Sequence, residues 1–251
     1  MEFDISELKA PIVNINYHNI FIISDLHFGV RANSLEWLNN HLSFFYNFYI
    51  PYLKKTKIDN DILCILGDFF DNRQSLDITV LNKAIELVNE LAKLIPIIFI
   101  TGNHDYSFTK TVGISVGEDL AAAREDMEYL GDDIGSVYFE IPGTDKQCKV
   151  TLMHPGGGSA YALSYRPQKI VEQLEGGTKP HLLAIGHFHK AEFIPNYRNI
   201  AILQTGTFQS QTPFMASKGL SAMMGGWIVE AEILGDYNIF KTEFISFYHK
   251  V

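Results

Sequence analysis

Five short apolar runs in this chain each end within a few residues of side chains that can bind a metal ion. Ile20–Ile23 runs into Ser24-Asp25-Leu26-His27, and Ile62–Leu66 into Gly67-Asp68-Phe69-Phe70-Asp71. Ile97–Ile100 leads to Gly102-Asn103-His104-Asp105, Val150–Met153 to His154, and Leu182–Ile185 to Gly186-His187-Phe188-His189. Carboxylates, imidazoles and one amide oxygen suit borderline divalent ions such as Mn, Fe or Zn, and no cysteine competes at these positions. A lone histidine after a strand is more often a hydrogen-bonded surface residue than a ligand. Here, however, His27, His104, His154, His187 and His189 all stand at such junctions, out of 9 histidines in the chain. His18, His41, His181 and His249 keep the ordinary reading.

The elements that must position these groups follow from the same runs. Four or five β-favouring residues bounded by glycine and polar residues read as buried strands. Ligands bind beyond the carboxyl ends of strands in open α/β sheets, so all five junctions should meet at one rim. Helices are expected at Leu35–Leu53, ending near Pro51, and at Ile78–Leu94, from apolar residues at helical spacing. A third is expected at Gly117–Leu130, where Glu118 and Asp119 favour the first turn, and a fourth at Pro167–Leu174. Val137–Ile141 and Cys148–Met153 flank Pro142-Gly143-Thr144-Asp145 as a hairpin, and late strands follow at Ile200–Gln204, Trp227–Leu234 and Ile239–Phe247. A strand–helix–strand beginning and a strand-rich end fit an α/β sandwich of two packed sheets with helices outside.

Composition narrows the class. The 251 residues are 47% hydrophobic and 20% charged, which is globular and consistent with a single domain over 1–251. No apolar stretch approaches bilayer length, and the first twenty residues mix Glu2, Asp4, Glu7 and Asn14 with apolar positions, unlike a signal peptide. Cys64 and Cys148 lie in strand-like contexts and read as reduced buried thiols, pointing to the cytoplasm. A net charge of −9 argues against non-specific adhesion to nucleic acid, although bound cations would reverse the sign locally.

Taken in order, Asp25-x-His27, Gly67-Asp68-x-x-Asp71, Gly102-Asn103-His104-Asp105, His154 and Gly186-His187-x-His189 resemble the motifs of the calcineurin-like metallophosphoesterase superfamily. The resemblance spans Ser24 to about Thr207 and implies the superfamily's mixed two-sheet sandwich. It implies two divalent metal ions, manganese first, with iron, zinc, nickel or magnesium as alternatives. Asp25, His27 and His189 would hold one ion, Asn103, His154 and His187 the other, and Asp68 would bridge them. Such a pair, about 3.5–4 Å apart, stabilises the attacking and leaving oxygens of an in-line displacement and makes hydroxide available near neutral pH. His104 would act on the leaving oxygen, and Asp105 would orient its imidazole.

The first half, Ser24–Ala32 and Gly67–Arg73 above all, resembles the nuclease subunits of double-strand-break repair complexes, phage forms included; the likeness fades after Asp105. It implies a phosphoester substrate, DNA or a nucleotide, and an ATPase partner or a homodimer; the extension through which those nucleases dock their ATPase has no counterpart here. Asn72-Arg73 after Asp71, and Asp105 in place of Glu, count against a protein phosphatase. A small-nucleotide phosphatase or phosphodiesterase, and a non-catalytic scaffold, are the competing readings. Arg73, Arg166, Lys169 and Lys190 are candidate substrate contacts or solvated charges, and Pro155–Ser159 reads first as a flexible rim loop. Gly206-Thr207 has structural weight only.

Overall fold

The apolar runs are continuous because each central strand is covered on both faces. In the computed structural model, which describes residues 12–14, 17–71, 74–140, 144–158, 160–177, 179–233 and 238–246, the alternation is explicit. Ile20, Ile22, Ile62, Cys64, Leu66, Ile98 and Ile100 point to one side and meet Val137, Cys148, Val150, Leu152, Leu182, Ala184 and Leu203 of a second sheet. Phe21, Ile23, Leu63, Ile65, Ile97 and Phe99 point to the other side, under helices.

In chain order the first half comprises β1 (Ile12–Asn14), β2 (Tyr17–Ile23), α1 (Val30–Asn33), α2 (Leu35–Phe44), α3 (Ile50–Thr56), β3 (Ile62–Leu66), α4 (Ile78–Ala92) and β4 (Ile97–Thr101). Then come α5 (Asn103–Val112), α6 (Val116–Ala122), β5 (Met127–Asp132), β6 (Ile134–Glu140), β7 (Gln147–Met153), α7 (Tyr165–Gln173) and β8 (Leu182–Ile185). The end is β9 (Ala191–Tyr197), β10 (Ile200–Thr205), α8 (Pro213–Ser217), β11 (Gly225–Ile233) and β12 (Asn238–Ser246). The strands form two 6-stranded mixed sheets, ordered β1-β6-β7-β8-β10-β9 and β12-β11-β2-β3-β4-β5.

Parallel pairing puts the functional junctions at one end. β2, β3 and β4 run parallel to one another, so Asp25, Asp68 and Asn103 emerge from neighbouring carboxyl ends. In the other sheet β7, β8 and β10 are also parallel, delivering His154, His187 and Thr207. α2 and α4 cover the outer face of the first sheet, and Val171 of α7 covers the second beside Leu183, Ile185 and Ile202.

Several expectations change. The helix expected at Gly117–Leu130 is only Val116–Ala122; Met127–Asp132 is instead a strand pairing with β4. Backbone pairing, anchored by Ile97 N–H on Asp126 O at 3.0 Å, overrides a weak helical preference. The first long helix does not stop near Pro51 but continues to Thr56 through a π-helical turn at Phe45–Tyr49. A widened turn accommodates a residue that has no N–H to donate and a ring that crowds the preceding turn. β9 and α5 were not foreseen. Arg73, Ser159, His249 and the Pro142-Gly143 turn lie outside the described residues.

Candidate metal centre

Each strand end turns sharply before it presents its ligand. Asp25, His27, Asp68, His187 and His189 all have positive φ, between 49° and 77°, a left-handed backbone that is uncommon for residues with a Cβ. Such conformations are costly and persist where surrounding contacts over-determine them. Here the contacts are between turns: Asp25 N–H donates to Gly67 O and His27 N–H to Asp68 O, each at 3.0 Å. The turns approach so closely that a Cβ on Gly102 would lie 2.5 Å from Asp68 N and 2.8 Å from His154 Nε2. Glycine is required there for space, since its backbone is extended.

Asp25, His27 and His189 place one ligand atom each within 4.8 Å of one another, and so do Asp68, His154 and His187. In the first group His189 Nε2 lies 3.1 Å from Asp25 Oδ1 and 3.2 Å from His27 Nε2. Asp25 Oδ2 is occupied, accepting from Ser24 Oγ at 2.6 Å and from His187 N–H at 3.0 Å. Its Oδ1 is therefore the free ligand atom. In the second group His154 Nδ1 donates to Leu66 O at 2.6 Å, and His187 Nε2 donates to Gly157 O at 2.7 Å. Those bonds fix which nitrogen of each ring carries a lone pair in its neutral form.

Asp68 joins the groups. Its Oδ1 accepts the His104 N–H at 2.8 Å, and its Oδ2 lies 3.2 Å from His154 Nε2 and 3.9 Å from both His27 Nε2 and His104 Nε2. Asp25 Oδ1, Asn103 Oδ1 and His154 Nε2 are buried with no hydrogen-bond partner among the described residues. Unsatisfied buried polar atoms cost roughly 1–3 kcal/mol each, so several in one cluster need a ligand to explain them. A divalent cation fits: the set is carboxylate, imidazole and amide oxygen, with its lone pairs unspent.

The electrostatics agree. Burial opposes a charged His27, but its pairing with Asp25 and Asp71 prevails and raises its pKa to about 10. Burial likewise opposes charge on His154, and the Asp68 carboxylate lifts it to about 10. Burial pushes Asp68 upward too, yet the charge of the adjacent His154 holds it well below the ordinary carboxylate range. Positive charge is drawn to this cluster.

Asp105 does not do what was expected. Its carboxylate accepts backbone N–H groups from Phe70 at 3.0 Å and from Phe69 and Gly102 at 3.1 Å, tying the Asp68 loop to the start of α5. Burial, then the neighbouring Asp68 charge, pushes its pKa up to about 6. His104 instead donates from Nδ1 to the carbonyl oxygen of Asp71 at 2.5 Å. The correction has a simple cause: adjacent helical residues point about 100° apart, so Asp105 faces away from the His104 ring. The sequence places Asp71 in the Gly-Asp-x-x-Asp motif but assigns it no role. Its carboxylate lies 3.1 Å from His27 Nδ1 and accepts from Gln209 Nε2 at 3.2 Å. The Gly-Asp-x-x-Asp spacing was the available signal; Gln209 had none.

Other residues sort themselves. Lys169 pairs with Glu172 on the outer face of α7, and Lys190 Nζ is committed to Ser221. Thr207 Oγ1 donates to Asp25 O at 3.0 Å, a structural clasp. His41 donates to Phe208 O from a buried site, and His181 accepts the Lys149 N–H. No described helix is long and apolar enough to cross a membrane.

A family model described as Calcineurin-like phosphoesterase matches residues 18–191, more than half of the chain. The chain is 33% identical over 87 residues to protein 244L of Invertebrate iridescent virus 6, and 30% identical over 96 residues to protein 078R of Invertebrate iridescent virus 3; both carry the name phosphoesterase. These matches take in 35% and 36% of this chain but only 28% and 24% of the two relatives. Among solved structures, a conserved Streptococcus pneumoniae TIGR4 protein described as a phosphoesterase aligns over 94% of each chain at 15% identity and TM-score 0.43. Vacuolar Protein Sorting 29 from Cryptosporidium parvum aligns over 92% of this chain and 100% of its own at 14% identity and TM-score 0.45.

Proposed function

Because this chain belongs to the calcineurin-like phosphoesterase family, we propose that it is a dinuclear metal-dependent phosphodiesterase of repair-nuclease type. Asp25, His27 and His189 would hold one ion, Asn103, His154 and His187 the other, and Asp68 would be shared. The observation that carries this reading is the placement of Asp68 Oδ2, 3.2 Å from His154 Nε2 and 3.9 Å from His27 Nε2, facing both histidine groups. Bound there, two divalent cations supply an activated water and neutralise charge gathering on the phosphoryl oxygens.

The chain's own residues do the rest. Ser24 and the His187 N–H engage one oxygen of Asp25 and turn the other into the site. Gly157 O and Leu66 O hold the rings of His187 and His154 with the correct nitrogen inward. His104 is held through Nδ1, so Nε2 faces the Asp68 side of the site. From there it transfers a proton to the departing oxygen, a role typically worth about 10²–10⁴-fold. A purely structural ion site has no use for that imidazole.

The test is manganese-dependent hydrolysis of bis-p-nitrophenyl phosphate against the p-nitrophenyl monoester. Faster turnover of the diester is expected. Preference for the monoester points to a phosphatase, and no turnover of either with metal bound points to a scaffold.

A further inference from the structure

Each sheet of the sandwich ends in two edge strands, β1 and β9 in one sheet, β12 and β5 in the other. An unpaired edge invites a further strand, and proteins commonly blunt such edges. Three of the four are short or interrupted. β1 has 3 residues, β9 carries Pro195 and a register shift against β10, and β5 has a register shift against β4. β12 has 9 residues, no proline, and an unbroken register on β11 from Gly225 opposite Ser246 to Ile233 opposite Asn238. Its other side pairs with no strand among the described residues.

The strand itself carries the pattern of its partner. Ile239-Phe240-Lys241-Thr242-Glu243-Phe244-Ile245 reads alike from both ends, with one exchange: lysine stands opposite glutamate. We propose that β12 pairs antiparallel with β12 of a second copy of this chain, about a two-fold axis at Thr242, so that two 6-stranded sheets become one. In that register Lys241 of each copy meets Glu243 of the other, giving two opposite-charge pairs. Ile239 meets Ile245, Phe240 meets Phe244, and Thr242 meets itself. Such a contact is isologous and closes at two copies.

The two faces of the strand agree with this. Phe240 and Phe244 are partly buried against the core between the sheets, so each copy extends the apolar layer of the other. Lys241 and Glu243 lie on the opposite face, near Tyr52 and Thr56 of α3, and Lys241 Nζ donates to Glu230 Oε1 of β11 at 2.5 Å. Pairing sets Glu230, Lys241 and the second copy's Glu243 in one row of alternating sign. Charge on an edge ordinarily deters a second strand. Moving the axis to Lys241 or to Glu243 sets that charge against itself, whereas the axis at Thr242 turns it into attraction.

Sedimentation of the full chain over a concentration series is expected to show a monomer–dimer equilibrium. Lys241→Glu and Glu243→Lys should each raise the dimer dissociation constant by about 10- to 100-fold, as two attractive pairs become two repulsive ones. An equimolar mixture of the two variants should dimerise like wild type, because every facing pair in the mixed dimer is again opposite in charge. Thr242→Cys should oxidise to a disulfide-linked dimer, since directly opposed Cα atoms stand about 4.5–5.5 Å apart. Ile239→Cys should not, because its counterpart lies about 20 Å away along the strand. The two native thiols are buried and do not compete. The cysteine pair keeps the wild-type charges, so it decides the matter if a charge variant fails to fold. A monomer at every concentration overturns the proposal, as do folded charge variants that dimerise like wild type or stay monomeric when mixed. Equal cross-linking of the two cysteine variants, or none in either, overturns it as well.

Discussion

The Asp71 carboxylate lies 3.1 Å from His27 Nδ1, while its main-chain carbonyl accepts from His104 Nδ1. One residue thereby orients a metal-ligand candidate and the proposed proton donor, and Gln209 steadies it from a third segment. Carboxylate partners of ligating histidines typically matter by about 10–100-fold in metal affinity or activity. Asp71→Asn should therefore weaken manganese binding by about 10–100-fold, measured by competition with a chelating indicator. Wild-type affinity in that variant would refute the orienting role.

His104→Ala separates binding from chemistry. The ring is not in either ligand group proposed to hold the ions, so metal content measured by elemental analysis should stay at the wild-type level. Turnover of bis-p-nitrophenyl phosphate should fall by about 10²–10⁴-fold. Unchanged turnover would remove His104 from the reaction.

Asp68 should govern both ions at once. In wild type, adding manganese should raise the melting temperature, since a ligand at 100 times its Kd stabilises by about 2.7 kcal/mol. Asp68→Asn should abolish most of that rise and lower the loading of both sites. Full dinuclear loading of the variant would contradict a shared carboxylate.

Gly102→Ala tests the close approach of the turns. Its new Cβ would press on Asp68 and His154, and overpacking of this kind costs about 1–3 kcal/mol. A lowered melting temperature together with reduced metal content is expected. A variant that melts and binds metal like wild type would show that the turns can part.

The two thiols give a pH prediction away from the site. Burial raises both Cys64 and Cys148 to about 12, against a model-compound value of 9.0. The folded state then keeps protons that the unfolded state releases, so these groups cost stability as pH rises above 9 toward 12. Neither thiol should react with iodoacetamide at pH 8 in the native protein, and both should react in guanidinium. Native-state labelling, read by mass spectrometry, would contradict their burial between the sheets.

Much of this was legible in one dimension. A strand buried on both faces is apolar at nearly every position, so β3, β4, β8 and the second half of β2 announced themselves as apolar runs, as did the end of β7 despite Thr151. Polar residues directly after them marked the rim, because parallel strands end together. Residues whose state depends on a neighbouring strand were harder: Met127–Asp132 carries a mixed pattern, and only pairing with β4 makes it a strand.

The sequence alone determined which chemically capable side chains stand at the ends of the central strands, since residue type and periodicity are local properties. Only the tertiary structure decided how they are held: left-handed turns at Asp25, His27, Asp68, His187 and His189, and His104 bound to Asp71 rather than Asp105. Those choices arise from contacts between segments tens of residues apart. Local propensity carries no information about which carbonyl or carboxylate another strand will bring within reach.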